Sequence, residues 1–240
     1  MVETSDPLLP LLERLARLDT GQVSDVLDEA GLPHHALASN AFRPVGPAVR
    51  FAGVAVCARG EPIVHGLDPR PGLPMTVLDR AVIPGAVVVL DAGGYVGGAC
   101  VGGFVVSELR RLGCRGLVVN GAVRDVREIA ELGLPTFSTA VTPVNASRRW
   151  TLVDVGKPVA LPCQTVASVM VSPGDLVLGD ADGIVVVDRK AALTVVEDAE
   201  ALAAIEARIG DAMRAGSSRS EAFAQNPRFA HIRRVGGPGT

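Results

Sequence analysis

Leu8, Leu11, Leu12, Leu15 and Leu18 recur at helical spacing, which predicts an amphipathic first helix ending near Asp19-Thr-Gly. Thr20 stands where it would cap a second helix, in which Val23, Val26 and Leu27 share a face and Gly31-Leu-Pro33 supplies the stop. The pattern then changes. Short β-branched runs at 48–58 and 86–90, each introduced by a Pro or Gly turn, predict strands. A glycine-crowded stretch follows, then an amphipathic helix over about 103–112, an apolar strand over 116–120, and a helix over about 126–132 ended by Gly133 and Pro135. Next come a strand near 136–141, a series of strands and turns over 157–188, and a last helix over about 191–215. Helices alternating with strands in the middle, and strands in series afterwards, predict a mixed α/β sandwich rather than a uniform doubly wound sheet.

One segment echoes another. Pro84-Gly-Ala-Val-Val-Val-Leu-Asp-Ala-Gly-Gly94 and Pro173-Gly-Asp-Leu-Val-Leu-Gly-Asp-Ala-Asp-Gly183 share Pro-Gly, an apolar strand and Asp-Ala-x-Gly at equal offsets. This reads either as one strand-and-turn device used twice or as separate turns that need the same residues. Asp180-Ala-Asp182-Gly183 contains part of a calcium-loop pattern, but the downstream ligands are missing, so a simple turn is expected. The terminal Gly236-Gly-Pro-Gly-Thr240 is expected to fray.

Composition narrows the function classes. At 240 residues and 48% apolar, the chain can bury a full core, and no internal stretch reads as a linker, so one domain over 1–240 with N-terminal helices and a C-terminal helical extension is expected. Apolar runs are short and broken, so no membrane span is expected, and the acidic MVETSD is not expected to open a signal peptide. Cys57, Cys100, Cys114 and Cys163 are scattered without CxxC spacing, which fits reduced thiols in the cytoplasm. A net charge of −3 with one Tyr and one Trp argues against nucleic-acid binding.

The candidate chemistry sits in 91–125. Gly93, Gly94, Gly97, Gly98, Gly102 and Gly103 crowd ahead of the predicted helix, and glycine lets a ligand approach backbone N–H groups at a helix start, where several are unpaired. A carboxylate or phosphate fits there. The strand after the helix delivers Arg124 and Asp125 to a strand end, where α/β proteins place chemistry. Asp125 has two readings. Asp125-Val-Arg-Glu128 has the outline of a capping box that starts the next helix. Alternatively, Arg124 is a fork donor to a substrate carboxylate and Asp125 a ligand for a hard divalent cation. Only Lys157 and Lys190 are present, neither among these residues, so Schiff-base chemistry has no nucleophile here. No G-x-S-x-G, P-loop or G-x-G-x-x-G occurs, and His34, His35, His65 and His231 are too scattered to read as ligands.

Gly-Leu-Val-Val-Asn-Gly-Ala-Val-Arg-Asp at 116–125, the Gly-Gly-apolar helix start at 102–106, Leu134-Pro-Thr-Phe and the Pro173-Gly-Asp…Gly-Asp-Ala-Asp-Gly-Ile-Val-Val-Val run resemble the RraA-like proteins, which include 4-hydroxy-4-methyl-2-oxoglutarate (4-carboxy-4-hydroxy-2-oxoadipate) aldolases. The resemblance runs from Ser24-Asp-Val-Leu-Asp28 to about Asp188. It implies an α/β/β sandwich of the swivelling-domain type, a homotrimer or a hexamer of two trimers with sites between subunits, and a metal-dependent pyruvate aldolase or oxaloacetate decarboxylase. By position, Arg124 would orient and polarise the substrate. Asp125 would hold Mg²⁺ or Mn²⁺, and amides of Gly102, Gly103, Phe104, Val105 and Val106 would take the carboxylate of a small 2-oxo acid.

One departure stands out. The aldolase pattern has an acid where this chain has Gly103, a loss expected to weaken the aldolase reading more than metal binding. Glu108 is badly placed to replace it; Glu200 or Glu206 of another subunit would be candidates. The lost acid motivates the alternative of a non-catalytic regulatory protein acting by protein–protein contact.

Overall fold

The computed structural model describes residues 8–63 and 72–235; His65 and 236–240 lie outside them. Two helices open the chain, α1 (Leu8–Leu15) and α2 (Thr20–Glu29). The middle runs β1 (Arg43–Pro44), β2 (Phe51–Pro62), α3 (Thr76–Ala81), β3 (Ala86–Tyr95), α4 (Gly103–Arg111), β4 (Gly116–Val123), α5 (Val126–Leu132) and β5 (Thr136–Val141). Strands β6 (Trp150–Val155), β7 (Val159–Pro162), β8 (Ser168–Val171), β9 (Leu176–Gly179) and β10 (Ile184–Val187) follow, then α6 (Ala192–Arg214) and α7 (Arg219–Gln225).

The main sheet runs β1-β5-β4-β3-β2-β9-β10, with β6 also paired to β2. Strands β2, β3, β4 and β5 are mutually parallel, whereas β6 and β9 lie antiparallel to β2. Side chains alternate between faces along each strand. Ala86, Val88 and Leu90 of β3, with Leu117 and Val119 of β4, pack with Val106 and Leu109 of α4 and Ile129 of α5. Val87, Val89 and Val118 face the other way, onto Val159, Leu161 and Val171 of the β7-β8 sheet. On the helical face beyond β2, α1, α2 and α6 cover Leu176, Leu178, Val185 and Val187. The layers are therefore helix, mixed sheet and small second sheet, the α/β/β sandwich expected. Strands buried on both faces explain the near-continuous apolar runs of β3 and β4.

Several local readings change. Asp19, not Thr20, is the N-cap of α2, in a capping box with Gln22. Thr20 instead gives its N–H and hydroxyl to Asp180, at 2.8 and 2.7 Å. Strand β3 continues through Gly93 and Gly94, which take φ of +66° and +71°, so part of the glycine stretch is a strand with an irregular register against β4. The echoed segments share one device: Gly85 and Gly174 both turn at positive φ. Asp91 and Asp180 each accept the N–H of the residue two ahead, at 2.9 Å. Asp180 is thus a turn and tether, as the missing calcium ligands suggested.

Candidate functional site

The site forms at the carboxyl end of β4. Beyond Tyr95 the chain runs beside β4, with Cys100 N–H donating to Ala122 O at 2.8 Å and Arg124 N–H to Val101 O at 3.1 Å. These bonds set the start of α4 against the Arg124-Asp125 pair. Gly102 is the N-cap of α4 and, lacking a side chain, offers no cap of its own. The cap comes from across the strand: Asp125 Oδ2 accepts the Gly103 N–H at 3.0 Å and lies 3.4 Å from Arg124 Nε.

Asp125 does not cap its own helix. It precedes α5 with φ +61° and ψ +41° and makes no side-chain cap bond there, so the capping-box reading of Asp125 and Glu128 is corrected. The left-handed backbone, which Asp tolerates better than most residues, turns the carboxylate towards α4 instead. Among the described residues no hydrogen bond reaches its Oδ1.

Charged side chains crowd Gly102 and Gly103. A Cβ on Gly102 would lie 2.7 Å from Asp125 Oδ2 and 3.1 Å from Arg124 Nε. One on Gly103 would lie 2.1 Å from Glu128 Oε2 and 2.8 Å from Oε1. The space where a side chain at 103 would begin is filled by the Glu128 carboxylate. An acid therefore does stand at this corner, supplied by α5 rather than α4. Sequence reasoning treated Glu128 only as a capping partner; its offset of three from Asp125, which puts both on one side of a helical start, was the available signal.

The other proposed donors separate. Val105 and Val106 N–H groups turn back onto the Gly102 carbonyl at 3.1 and 3.2 Å. Among the described residues, that leaves Phe104 N–H, beside the Asp125-capped Gly103, as the first-turn amide without a partner. The Phe104 side chain is 85% exposed. Glu108 pairs with Arg111 on the outer side of α4. Glu200 is bound by Arg14 at 2.7 Å and Glu206 by Arg228, so both carboxylates are engaged within their own chain. Burial pushes the nearby Cys100 thiol up to about 12, which keeps it neutral. His34, His35 and His231 bond Thr165, Ser24 and Asp198 respectively, away from this corner.

Among the described residues no group of three or more His, Cys, Asp or Glu gathers as a metal cage. Two carboxylates nevertheless suit Mg²⁺, which takes one or two from a protein and fills its shell with water and substrate oxygens.

A family model described as RraA-like, Aldolase/RraA, matches residues 20–186. A protein of Halalkalibacterium halodurans named "Putative 4-hydroxy-4-methyl-2-oxoglutarate aldolase" is 37% identical over 106 residues, 44% of this chain and 48% of that protein. The chain thus spans about half of that relative's length. A Burkholderia mallei protein of the same name is 34% identical over 147 residues, 61% of this chain and 81% of the relative. The solved structure of Streptomyces coelicolor RraAS2, titled an unusual member of the RNase ES inhibitor RraA protein family, superposes with a TM-score of 0.73 at 27% identity. It covers 87% of this chain and all of its own.

Proposed function

Since the chain belongs to the Aldolase/RraA family, we propose that it is a divalent-metal-dependent carbon–carbon lyase acting on a small 2-oxo acid. It forms a pyruvate enolate by retro-aldol cleavage of a 4-hydroxy-4-methyl-2-oxoglutarate-like substrate, by decarboxylation of an oxaloacetate-like one, or by both. One observation carries the reading: the Arg124 guanidinium and the Asp125 and Glu128 carboxylates converge on the Gly102-Gly103 corner. The relatives' names point the same way.

Asp125 and Glu128 would hold the cation, Mg²⁺ or Mn²⁺. When bound, it would act as a Lewis acid on the 2-oxo oxygen. Phe104 N–H, at the positive end of α4, receives the 1-carboxylate. Arg124 supplies a second, charged set of donors to the carboxylate and 2-oxo group and stabilises the negative charge that builds as the carbon–carbon bond breaks. Decarboxylation needs no base. Retro-aldol cleavage also needs the 4-hydroxyl proton removed, and Glu128, filling the place of a residue-103 acid, orders the water that takes it.

Val96, Val141 and Val144 are exposed, as is Phe104. They lie on segments that bound this end of the sheet, and we assign them to the contact of a homotrimer or of a hexamer of two trimers. The four cysteines are free and buried, which suits the reducing cytoplasm. Pyruvate release from oxaloacetate and from 4-hydroxy-4-methyl-2-oxoglutarate, with Mg²⁺ and with EDTA, tests the function. We expect turnover of at least one, abolished by EDTA. No metal-dependent turnover of either would sink the lyase reading in favour of the regulatory alternative.

A further inference from the structure

A cleft of about 660 Å³ opens where β2, β4 and β5 begin, at the end of the sheet opposite the Gly102-Gly103 corner. Arg50, Arg110 and Arg115 line it, and among the described residues no carboxylate does. Arg50 is already engaged: its guanidinium donates to the Ala16 and Leu18 carbonyls at 3.1 and 2.6 Å and to Asp19 at 3.0 Å. The side chains of Arg110 and Arg115 make no ion pair or hydrogen bond among the described residues. Acids on the neighbouring helices are held elsewhere, Glu108 by Arg111 at 2.6 Å and Glu131 by Arg127 at 3.6 Å. Two positive charges on this cleft are thus left without a counter-charge. A second cleft, of about 590 Å³, shows the contrast: carboxylates outnumber Arg50 and Arg228 there and already bind both. The helix dipole accounts for a basic residue such as Arg110 in the last turn of α4. It does not account for Arg115, which stands beyond the helix and just before β4.

We propose that this cleft binds a small organic phosphate, with its phosphate group on Arg110 and Arg115 and its carbon body along Val49, Leu134 and Pro135. The proposal is independent of the lyase reading. A phosphate monoester carries about −1.5 to −2 charges at pH 7, so a single group answers both guanidiniums, whose planar forks match its oxygens. A monocarboxylate would leave one cation unmatched. Val49, Leu134 and Pro135 offer the apolar part of the wall, where burying carbon surface adds affinity. The volume falls in the range of roughly 300–1,000 Å³ usual for small-molecule sites.

The test is calorimetric titration of phenyl phosphate, inorganic phosphate and benzoate into the whole protein without added metal. Phenyl phosphate should fill one saturable site per chain. Inorganic phosphate, lacking the carbon body, should bind several-fold more weakly, and benzoate, with one charge, at least about tenfold more weakly. Arg110→Gln and Arg115→Gln remove no bond seen in the structure, so both should melt as the parent protein does. Each should weaken phenyl phosphate at least about tenfold. Arg111→Gln, which takes away an equal charge just outside the cleft, should change affinity less than about twofold. Four results would overturn the site: no saturable binding of phenyl phosphate, equal weakening in Arg111→Gln, benzoate or inorganic phosphate binding as tightly as phenyl phosphate, or loss of binding in Arg124→Gln with Arg115→Gln unaffected. The last would move the phosphate to the Gly102-Gly103 corner.

Discussion

Asp125 shows how one residue can look like a helix cap and be something else. Its carboxylate caps α4, across the strand end, through the Gly103 N–H, while its own helix starts without a side-chain cap. Asn accepts the same bond and tolerates the same left-handed backbone, so Asp125→Asn should melt within a few degrees of the parent protein. Losing the charge removes what a hard cation needs. Metal-dependent pyruvate release should fall at least roughly tenfold, on the order of 1.4 kcal/mol. Near-normal turnover with normal melting would return Asp125 to a structural role. Gly103→Ala is the complementary experiment. Its Cβ would meet the Glu128 carboxylate 2.1 Å away, and since that group is the far end of an exposed side chain, it can move aside. Stability should change by less than about 1 kcal/mol, while displacement of Glu128 lowers turnover several-fold; unchanged kinetics would show that the position of Glu128 does not matter. The Arg124-Asp125 pair and the glycine corner were legible from residue order, but the meaning of Gly103 was not. A missing acid and an acid supplied from three residues past Asp125 look alike until α4 and α5 are set side by side.

Among the elements, periodicity located the long ones well. The helix expected over 191–215 is α6, Ala192–Arg214, because an apolar stripe sustained over many turns admits few other readings. Helices α3 and α7, at six and seven residues, are too short for a stripe to show, and β6, Trp150–Val155, lies between the strands near 136–141 and over 157–188, where the pattern assigns no element. The tether between α2 and the β9-β10 turn was hidden for another reason: Thr20 and Asp180 are 160 positions apart. Asp180 is buried, and burial alone would raise its carboxyl. The Thr20 N–H and hydroxyl, the Asp182 N–H and nearby Arg50 outweigh that and hold it below its ordinary 3.8. The folded state therefore binds this proton more weakly than the unfolded chain does. Its contribution is fully present above about pH 4 and is lost as the pH falls through the lowered folded-state value. Denaturant melts of Asp180→Ala at pH 7 should show a loss of about 2–3 kcal/mol. Asp180→Asn should flatten the fall in stability below pH 4, and an unaltered acid limb would show that the tether carries no such linkage.

At the scale of the whole molecule, the order of helices and strands pointed to a mixed α/β sandwich and the family resemblance to its α/β/β layering, while the rule that strand ends carry chemistry pointed to the end of β4 as the candidate site. The assembly is not written in the apolar pattern of a single chain, because a residue that faces a second copy reads as a stray surface hydrophobe. Phe104, 85% exposed at the start of α4, is the residue we propose for such a contact. Sedimentation equilibrium should find trimers or hexamers for the parent protein and smaller species for Phe104→Asp; a parent protein that sediments as a monomer would remove the intersubunit contact. The central claim is narrower: Asp125 and Glu128 together hold a divalent cation at the Gly102-Gly103 corner. Calorimetric titration of Mg²⁺ into the protein in the presence of pyruvate tests it without relying on turnover. The account predicts one saturable site per chain, weakened at least roughly tenfold, about 1.4 kcal/mol, in both Asp125→Asn and Glu128→Gln. Absence of Mg²⁺ binding by the parent protein, or equal affinity in the parent and both variants, would contradict it.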